Sequence, residues 1–333
     1  MKCTNSKKRF FSACLACMML LCFSGCAGKS YSFPYDAEYG VSSFQIVQTV
    51  NASSAVPFAN DLCIVGGDVS GGDVSGGDAG LSAVGAALLC DVNTATVLYA
   101  QNVHERMHPA SLTKVMTALV ALKYGSMDQI LTATSDNYIT ERGAVLLGLK
   151  AGDTMTLSQA LYILLVYSAN DVGMLIAEGV GGSVEGFVEL MNEEAKALGA
   201  TNTHFMNPHG LTEDNHYTTA YDLYLIFNEA IKYETFREII HTRDYSTVYY
   251  DKDGNSKEFS KTSTNLYFRG NFEPPENITI VGGKTGTTDA AGHCLILLSR
   301  DTAGAPYISV ILRAPSNDVM YPEMSDLLNE IGK

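Results

Sequence analysis

Tryptophan is absent from the 333-residue sequence, and basic residues are few: 22 lysines and arginines stand against 36 aspartates and glutamates. The formal net charge of −14 argues against a nucleic-acid-binding protein, which normally presents a basic patch to phosphates. The other proportions are ordinary, since 46% of the residues are hydrophobic, 17% are charged and 9% are aromatic. This composition excludes a disordered or fibrous chain and leaves room for one large domain, alone or with a tail.

Several catalytic signatures are also missing. His209 and His216, which we expect to tie loops together, lack the spacing of zinc ligands on a helix. No serine stands in a Gly-x-Ser-x-Gly elbow, although the sequence alone does not exclude a Ser-His-Asp triad. The cysteines that follow the N-terminal segment, Cys63, Cys90 and Cys294, show no metal-like spacing. We therefore expect neither a metal nor a cofactor.

The N-terminal 25 residues are predicted to be a signal peptide. Basic residues come first, and the apolar run over residues 10–23 is short for a membrane-spanning helix. The run ends at Ser24-Gly25-Cys26, which resembles a bacterial lipoprotein signal, although Phe23 stands where leucine is usual. We expect residues 1–25 to be removed and Cys26 to be lipidated, which would anchor the protein to the outer side of the cell membrane. The alternatives are an ordinary cleaved signal and an uncleaved anchor.

Residues 26–82 are rich in Ser, Gly, Ala and Asp and include a short repeat, Gly-Gly-Asp-Val-Ser. A segment of this composition buries too little apolar surface to fold, which predicts a flexible tether. The pattern changes at Ala83, and residues 83–333 are predicted to form the catalytic domain.

Strands are predicted at both ends of this domain and helices between them. The predicted strands cover residues 83–90, 96–100, 278–283, 293–299 and 307–312, and the predicted helices cover residues 111–123, 156–166, 170–178, 184–198, 219–233 and 318–331. Because an isolated hairpin is not stable in water, the first two strands are expected to join the last ones. The fold class is therefore α+β, with one sheet completed by distant segments.

The sequence Ser111-Leu112-Thr113-Lys114 places a hydroxyl and an amine on one face of a helix. A serine is a weak nucleophile unless a neighbouring base takes its proton, and a buried lysine amine is such a base when its pKa is lowered. The backbone N–H of Ser111, at the helix start, could also stabilise an oxyanion. Taken alone, the motif also fits a capping serine and a solvated lysine.

Two further short motifs follow in the chain. Ser168-Ala169-Asn170 lies between two apolar helices, where Ser168 could relay a proton and Asn170 could hold a peptide carbonyl. A similar sequence, Ser135-Asp136-Asn137, lies in a polar stretch and is predicted to be a loop. Lys284-Thr285-Gly286-Thr287 ends a predicted strand, and its cation and hydroxyls suit a terminal carboxylate, while Gly286 leaves room for a ligand beside the strand.

Together, Ser-x-x-Lys, Ser-x-Asn and Lys-Thr-Gly, in this order, resemble the motif set of penicillin-binding proteins and class A β-lactamases. The surrounding residues, His104–Ser111, Phe205–Leu211, Tyr217–Leu223 and Thr264–Leu266, are similar to those of the low-molecular-mass penicillin-binding carboxypeptidases. The resemblance covers roughly residues 83–331. It implies a penicillin-binding/serine β-lactamase-like fold, in which an antiparallel sheet is flanked by helices and accompanied by an all-helical lobe.

The resemblance also implies a reaction and its residues. Ser111 would be the acyl-ester nucleophile, Lys114 its general base and Ser168 the proton relay. The substrate-binding residues would be Asn170, Lys284, Thr285, Gly286 and Thr287, with the oxyanion between the N–H groups of Ser111 and Thr287. The expected activity is that of a serine D-Ala-D-Ala carboxypeptidase of peptidoglycan biosynthesis, acting on stem peptides that end in D-Ala-D-Ala and inhibited by β-lactams.

Three alternatives remain. An endopeptidase that cleaves peptidoglycan cross-links would share every motif. A class A-like β-lactamase would need a Glu-x-x-Leu-Asn segment, which the sequence lacks, and carries Asn207–Leu211 in that region instead. A lipoprotein that binds penicillin or peptides without turnover is disfavoured by the intact Ser111, Lys114 and Ser168.

Overall fold

The computed structural model describes residues 64–65, 81–136 and 138–333. In chain order, the strands are β1 (Ile64–Val65), β2 (Ala86–Asp91), β3 (Thr96–Gln101), β4 (Ile130–Thr132), β5 (Thr154–Thr156), β6 (Asp244–Tyr250), β7 (Ser256–Thr262), β8 (Thr279–Thr288), β9 (Gly292–Arg300) and β10 (Pro306–Ala314). The helices are α1 (Thr113–Tyr124), α2 (Leu157–Tyr162), α3 (Asn170–Gly181), α4 (Val184–Ala197), α5 (Ala220–Ala230), α6 (Glu234–His241), α7 (Leu266–Arg269) and α8 (Asn317–Leu328).

The main sheet has six strands in the order β1-β3-β2-β10-β9-β8. The N-terminal hairpin β2–β3 joins the C-terminal strands through an antiparallel ladder between β2 and β10, in which Leu89 lies opposite Ser309. This confirms the predicted closure of the sheet by distant segments. The closure of the sheet also places β8, at its far edge, next to helices that precede it in the chain.

Both faces of this sheet are buried, because hydrophobic residues alternate without a polar face. On β2, Leu88 and Cys90 belong to the core shared with α1, whereas Ala87 and Leu89 belong to a second core shared with α8. All of them are fully buried, as the period of two along a strand requires for a sheet covered on both sides. The fold prediction of an α+β domain with a flanked antiparallel sheet is confirmed.

Beside this sheet lies the helical lobe, in which α1 is central and apolar almost all round. Helix α2 begins at Leu157, and its N-cap residue Thr156 forms a capping box with Gln159. It continues into a π-helical turn, Ile163–Tyr167, that ends at Ser168 in the left-handed conformation with φ of 71°. The π-helical turn therefore sets the direction of the following segment, Ser168-Ala169-Asn170. Such turns are frequent at functional sites.

The sequence did not predict a second sheet, which has four strands in the order β4-β5-β6-β7. Its strands are short or largely polar, and β7 reads Ser-Lys-Glu-Phe-Ser-Lys-Thr with only Phe259 buried. These strands lack a strong hydrophobic period, so their pairing depends on the neighbours that the fold provides. Helix α6 was also missed, although its buried residues Phe236, Ile239 and Ile240 recur at helical spacing.

Strand β1 lies within the segment predicted to be a flexible tether. Ile64 and Val65 pair in parallel with Thr96 and Val97 at the edge of the main sheet. Two adjacent β-branched residues suffice for this edge pairing, and the tether prediction did not anticipate it. The predicted signal peptide, Cys26 and the remainder of the tether up to residue 80 lie outside the described residues. Within the described part of the chain, no helix is long and apolar enough to cross a membrane.

Candidate active site

Ser111 lies in a single 3-10 turn, Ala110–Leu112, immediately before α1. Ala110 has a positive φ of 47°, which is unusual for a residue with a side chain and must be held by its surroundings. Thr113 Oγ1 donates to Ala110 O at 2.9 Å and lies 2.8 Å from Nε2 of the buried His216. Because Met206 N–H donates to His216 Nδ1 at 3.2 Å, Nε2 carries the proton and donates to Thr113.

His216 is therefore a fixed neutral donor rather than a titrating group. Burial, followed by the nearby histidines and Lys114, lowers its pKa to about 3. Gly210 also supports the nucleophile turn, because its φ is +90° and an added Cβ would lie 1.9 Å from Ala110 O. Only glycine fits that approach. The expectation that His216 ties loops together agrees with these contacts.

Lys114 is fully buried, and its Nζ contacts the Ser111 hydroxyl oxygen at 2.8 Å. The same Nζ donates to Asn170 Oδ1 at 2.7 Å and to the carbonyl oxygen of His209 at 2.6 Å. These two oxygens can only accept, so a neutral amine spends both of its N–H groups on them. Its lone pair is then left facing the Ser111 hydroxyl.

The charge state of Lys114 favours the same arrangement. Burial lowers the pKa of Lys114 well below its ordinary value, the positive charge of Lys284 lowers it further, and the negative charge of Asp171 partly opposes both. The amine therefore loses its proton far more readily than an exposed lysine. A neutral amine beside a serine hydroxyl is the arrangement that activates a nucleophile.

Lys284 occupies the opposite side of the site, on β8. Its Nζ donates to Ser168 Oγ at 3.0 Å and to the carbonyl oxygen of Thr285 at 2.7 Å. Burial lowers the pKa of Lys284 to about 7. The hydroxyls of Thr285 and Thr264 lie 2.6 Å apart, which links β8 to the segment after β7. Ser168 thus lies within reach of a cation and lines the same cavity as Ser111.

Strand β8 passes directly against the nucleophile turn. A Cβ added to Gly286 would lie 2.9 Å from the Ser111 nitrogen and 3.1 Å from Ala110 Cβ, so a side chain there would push the strand away. Ser111 and Thr287 both line two adjoining cavities, of about 510 Å³ and 300 Å³. Asn170 lines the larger cavity and Ser168 lines the smaller one, so the nucleophile lies where the two meet.

One loop over the larger cavity is held by Asp171, which sequence reasoning missed. Its buried carboxylate accepts from the N–H groups of Leu147 at 2.9 Å, Gly148 at 2.8 Å and Leu149 at 3.1 Å, and from its own neighbour Val172 at 3.1 Å. The Asn170 N–H donates to the Val145 carbonyl of the same loop at 2.8 Å. The only sequence signal was a carboxylate directly after Asn170, which by itself does not show what it binds.

The structure brings together every predicted site residue of the folded domain: Ser111, Lys114, Ser168, Asn170, Lys284, Thr285, Gly286 and Thr287. Of the similar sequence at residues 135–137, Ser135 and Asp136 lie outside helices and strands, and Asn137 is not among the described residues. Sequence reasoning did not anticipate that the His209 carbonyl would contact Lys114. A carbonyl contact of this kind carries no residue-type signal.

The fold and this arrangement of motifs define a serine domain of the penicillin-binding type. Residues 78–316 match the sequence profile of the peptidase S11 family, described as D-alanyl-D-alanine carboxypeptidase. The chain belongs to this family, as the resemblance of its motifs predicted.

Named relatives and solved structures agree with this assignment. The chain is 36% identical over 215 residues to the D-alanyl-D-alanine carboxypeptidase DacF of Bacillus subtilis, a match that covers 63% of this chain and 52% of the relative. It is 32% identical over 252 residues to DacC of Escherichia coli, covering 73% and 60%. It is 31% identical over 218 residues to a D-alanyl-D-alanine endopeptidase of Pseudomonas aeruginosa, covering 65% and 66%. The crystal structure of the Streptomyces K15 DD-transpeptidase superposes with a TM-score of 0.69 at 27% identity, covering 74% of this chain and 96% of that one. The chain thus spans little more than half the length of the two carboxypeptidases.

Proposed function

We propose that this protein is a serine D-Ala-D-Ala carboxypeptidase that removes the terminal D-alanine from peptidoglycan stem peptides. One observation carries the proposal above the others. Lys114 Nζ lies 2.8 Å from Ser111 Oγ, while its other contacts are oxygens that can only accept. Its lone pair is therefore directed at the Ser111 hydroxyl, which must lose a proton in the reaction.

In the first step, the Ser111 hydroxyl gives its proton to Lys114, and Oγ attacks the carbonyl carbon between the two D-alanines. The oxyanion accepts from the backbone N–H groups of Ser111 and Thr287, on either side of the narrow gap at Gly286. Ser168 passes a proton to the leaving nitrogen, the C–N bond breaks, and D-alanine departs. The shortened peptide remains as an ester on Ser111.

In the second step, water attacks the ester and the shortened peptide leaves with a new carboxylate. Before either step, the substrate must be oriented. Asn170 uses its Oδ1 to accept from Lys114, so its amide N–H groups are left to donate to a backbone carbonyl of the peptide. Lys284, Thr285 and Thr287 receive the terminal carboxylate, and the absent side chain at Gly286 lets the peptide lie along β8. A β-lactam would follow the first step and stall at the second.

Mass spectrometry after incubation with penicillin tests the proposal directly. The wild type should gain one penicillin mass on a peptide that contains Ser111, and Ser111→Ala should gain none. Release of D-alanine from a peptide ending in D-Ala-D-Ala should follow the same pattern. Rapid penicillin hydrolysis without a lasting adduct would instead support a β-lactamase, and neither adduct nor turnover would leave a binding lipoprotein as the better account.

An endopeptidase activity is the second candidate, because a relative that matches over most of its own length is named as one. The same preparation should be offered a cross-linked muropeptide dimer alongside the free pentapeptide. Cleavage of the dimer at a rate equal to or above that of D-alanine release would favour the endopeptidase.

We also propose that the protein acts outside the cytoplasm, attached to the cell membrane by lipid on Cys26. The support is the basic start, the apolar run and the Ser24-Gly25-Cys26 sequence. Metabolic labelling with a clickable fatty acid should mark the wild type and not Cys26→Ser. Equal labelling of both would contradict the lipid site.

A further inference from the structure

A basic pocket of about 420 Å³ adjoins the active site and has no part in the mechanism above. Its lining residues are Tyr167, Arg243, Lys261, Thr262 and Arg269. Three of these five side chains are cations, in a chain whose acidic residues outnumber its basic ones by 36 to 22. A local excess of positive charge on an acidic protein favours an anionic ligand.

The basic pocket and the smaller active-site cavity share one lining residue. Arg269 lines both, and it is the one charged residue among the described residues lining the smaller cavity. Tyr167, which also lines the basic pocket, directly precedes Ser168 in the chain. A ligand in the smaller cavity that reaches Arg269 is therefore at the border of the basic pocket.

Two of the cations are held in position by neighbouring groups. Arg269 donates through Nε to the Ser263 carbonyl at 2.6 Å and through Nη2 to the Thr262 carbonyl at 3.3 Å. Lys261 Nζ lies 5.3 Å from the centre of the Tyr167 ring, within the range of a cation–π contact. Neither cation forms an ion pair with a carboxylate in the described part of the chain. Cations that are already oriented lose less entropy when an anion binds.

Arg243 is the weaker member of the set. Its Nε lies 3.5 Å from Asp244 Oδ2, and both side chains are 64% exposed. Asp244 also accepts from the Thr262 hydroxyl at 2.7 Å, so one negative charge stands beside the three positive ones. The pocket keeps an excess of positive charge, and most of that excess comes from Lys261 and Arg269.

The position of the basic pocket indicates which part of a substrate would reach it. In the proposed function, Ser168 protonates the leaving nitrogen, so the cavity lined by Ser168 and Thr285 holds the leaving residue. Asn170 lines the other cavity, which holds the acyl side. The basic pocket lies beyond the cavity for the leaving residue, and a single terminal D-alanine has no atoms that would extend into it.

We propose that the basic pocket is a subsite for leaving groups that carry a second carboxylate, beyond the one that Lys284 and Thr285 receive. The inference rests on the proposed function and deepens it. It means that the enzyme prefers an acidic leaving amino acid or peptide to a neutral one of the same size. The terminal carboxylate contacts β8, and the second carboxylate contacts Lys261 and Arg269.

Three peptides that differ only in the leaving residue test this subsite: acyl-D-Ala-D-Ala, acyl-D-Ala-D-Gln and acyl-D-Ala-D-Glu. D-Gln and D-Glu have nearly the same shape and differ in charge. The wild type should cleave the D-Glu peptide with a kcat/KM about fivefold above that of the D-Gln peptide, since exposed ion pairs contribute modestly. The Arg243→Gln/Lys261→Gln variant keeps Arg269 and should lower this ratio to about two.

A matched control removes the same charges elsewhere. Lys196→Gln/Arg300→Gln alters a lysine on α4 and an arginine at the end of β9, and it should leave the D-Glu to D-Gln ratio of the wild type unchanged. Thermal unfolding of all variants verifies that they fold. Binding of the two peptides to Ser111→Ala, measured by calorimetry, gives the same comparison without turnover.

Equal kcat/KM for the D-Glu and D-Gln peptides in the wild type would overturn the proposal. An undiminished preference in Arg243→Gln/Lys261→Gln, or an equal loss of preference in the control, would overturn it as well. Failure of the proposed function gives a different result, namely no release of D-alanine from the first peptide and no penicillin adduct on Ser111.

Discussion

Replacing Asp171 by asparagine should disturb both the loop over the active site and the base at its centre. The carboxylate accepts four backbone N–H groups, two at each oxygen. In Asp171→Asn, one oxygen becomes an NH2 group that faces two donors, so two hydrogen bonds to a charged group are lost. At roughly 1.5–3 kcal/mol for each such bond, the free energy of unfolding should fall by about 3–4 kcal/mol after partial relaxation.

For a domain of this size, a loss of that order should lower Tm by about 6–15 °C. The change should be local at first, because three of the four N–H groups that the carboxylate holds belong to Leu147, Gly148 and Leu149. Hydrogen exchange followed by mass spectrometry should therefore show faster exchange in residues 141–149 than in α1. Acylation by a fluorescent penicillin should slow, since Val145 of this loop lines both active-site cavities.

The same variant has an electrostatic consequence with a definite sign. Lys114 acts as a base when neutral, and the negative charge of Asp171 raises its pKa. Removing that charge lowers the pKa of Lys114, so the acid limb of the acylation rate should move to lower pH. A role in holding the loop alone would change the rate without moving the limb.

Asp136→Asn is the matched control, because Asp136 is exposed and accepts one N–H, from Ala151 at 2.7 Å. It should change Tm by less than about 2 °C and leave the acid limb in place. If Asp171→Asn also stays within this range and exchanges no faster in residues 141–149, then Asp171 does not hold this loop.

The remaining predictions concern charge, fit and access. Because burial lowers the pKa of Lys284 to about 7, its positive charge should decline as pH rises from about 6 to about 9, and the affinity of the site for a peptide carboxylate should decline with it. A KM that stays constant over this range would contradict the role of Lys284 in binding the carboxylate. Gly286→Ala should reduce the acylation rate about a hundredfold, because its Cβ would lie 2.9 Å from the Ser111 nitrogen. Its thermal unfolding should remain cooperative. Acylation at the wild-type rate would contradict this close approach of β8 to Ser111. Burial raises the pKa of Cys294 to about 11, and Cys90 is buried as well. Iodoacetamide should therefore leave both thiols unlabelled in the native state and label both in denaturant, as peptide mapping can verify. Labelling of the folded protein within minutes would argue against their burial.

Much of the fold was predictable because its core elements carry strong local signals. The hydrophobic runs that became β2, β9 and β10 are long and apolar, and Pro109 marks the approach to α1. The four-stranded sheet was not predictable in this way. Its strand β7 is mostly polar, so no hydrophobic period in the sequence indicates that it pairs with β6.

The chemistry of the site divides along the same line. The motifs alone indicate which groups are present, namely Ser111 with Lys114 one helical turn away, Ser168 with Asn170, and Lys284. Short spacings on one helix or strand fix which side chains are neighbours. The motifs could not determine the charge states, because the pKa of Lys114 depends on burial and on Lys284, which is distant in the chain.

How these groups face one another depends on packing. Packing places the His209 carbonyl on Lys114, the Asp171 carboxylate against the loop at residues 147–149, and Arg269 in the same cavity as Ser168. These contacts join segments far apart in the chain, and a backbone carbonyl or a surface cation has no spacing rule to reveal its partner. The motifs name the reacting atoms, whereas packing sets their geometry, their pKa values and the space that a substrate can occupy.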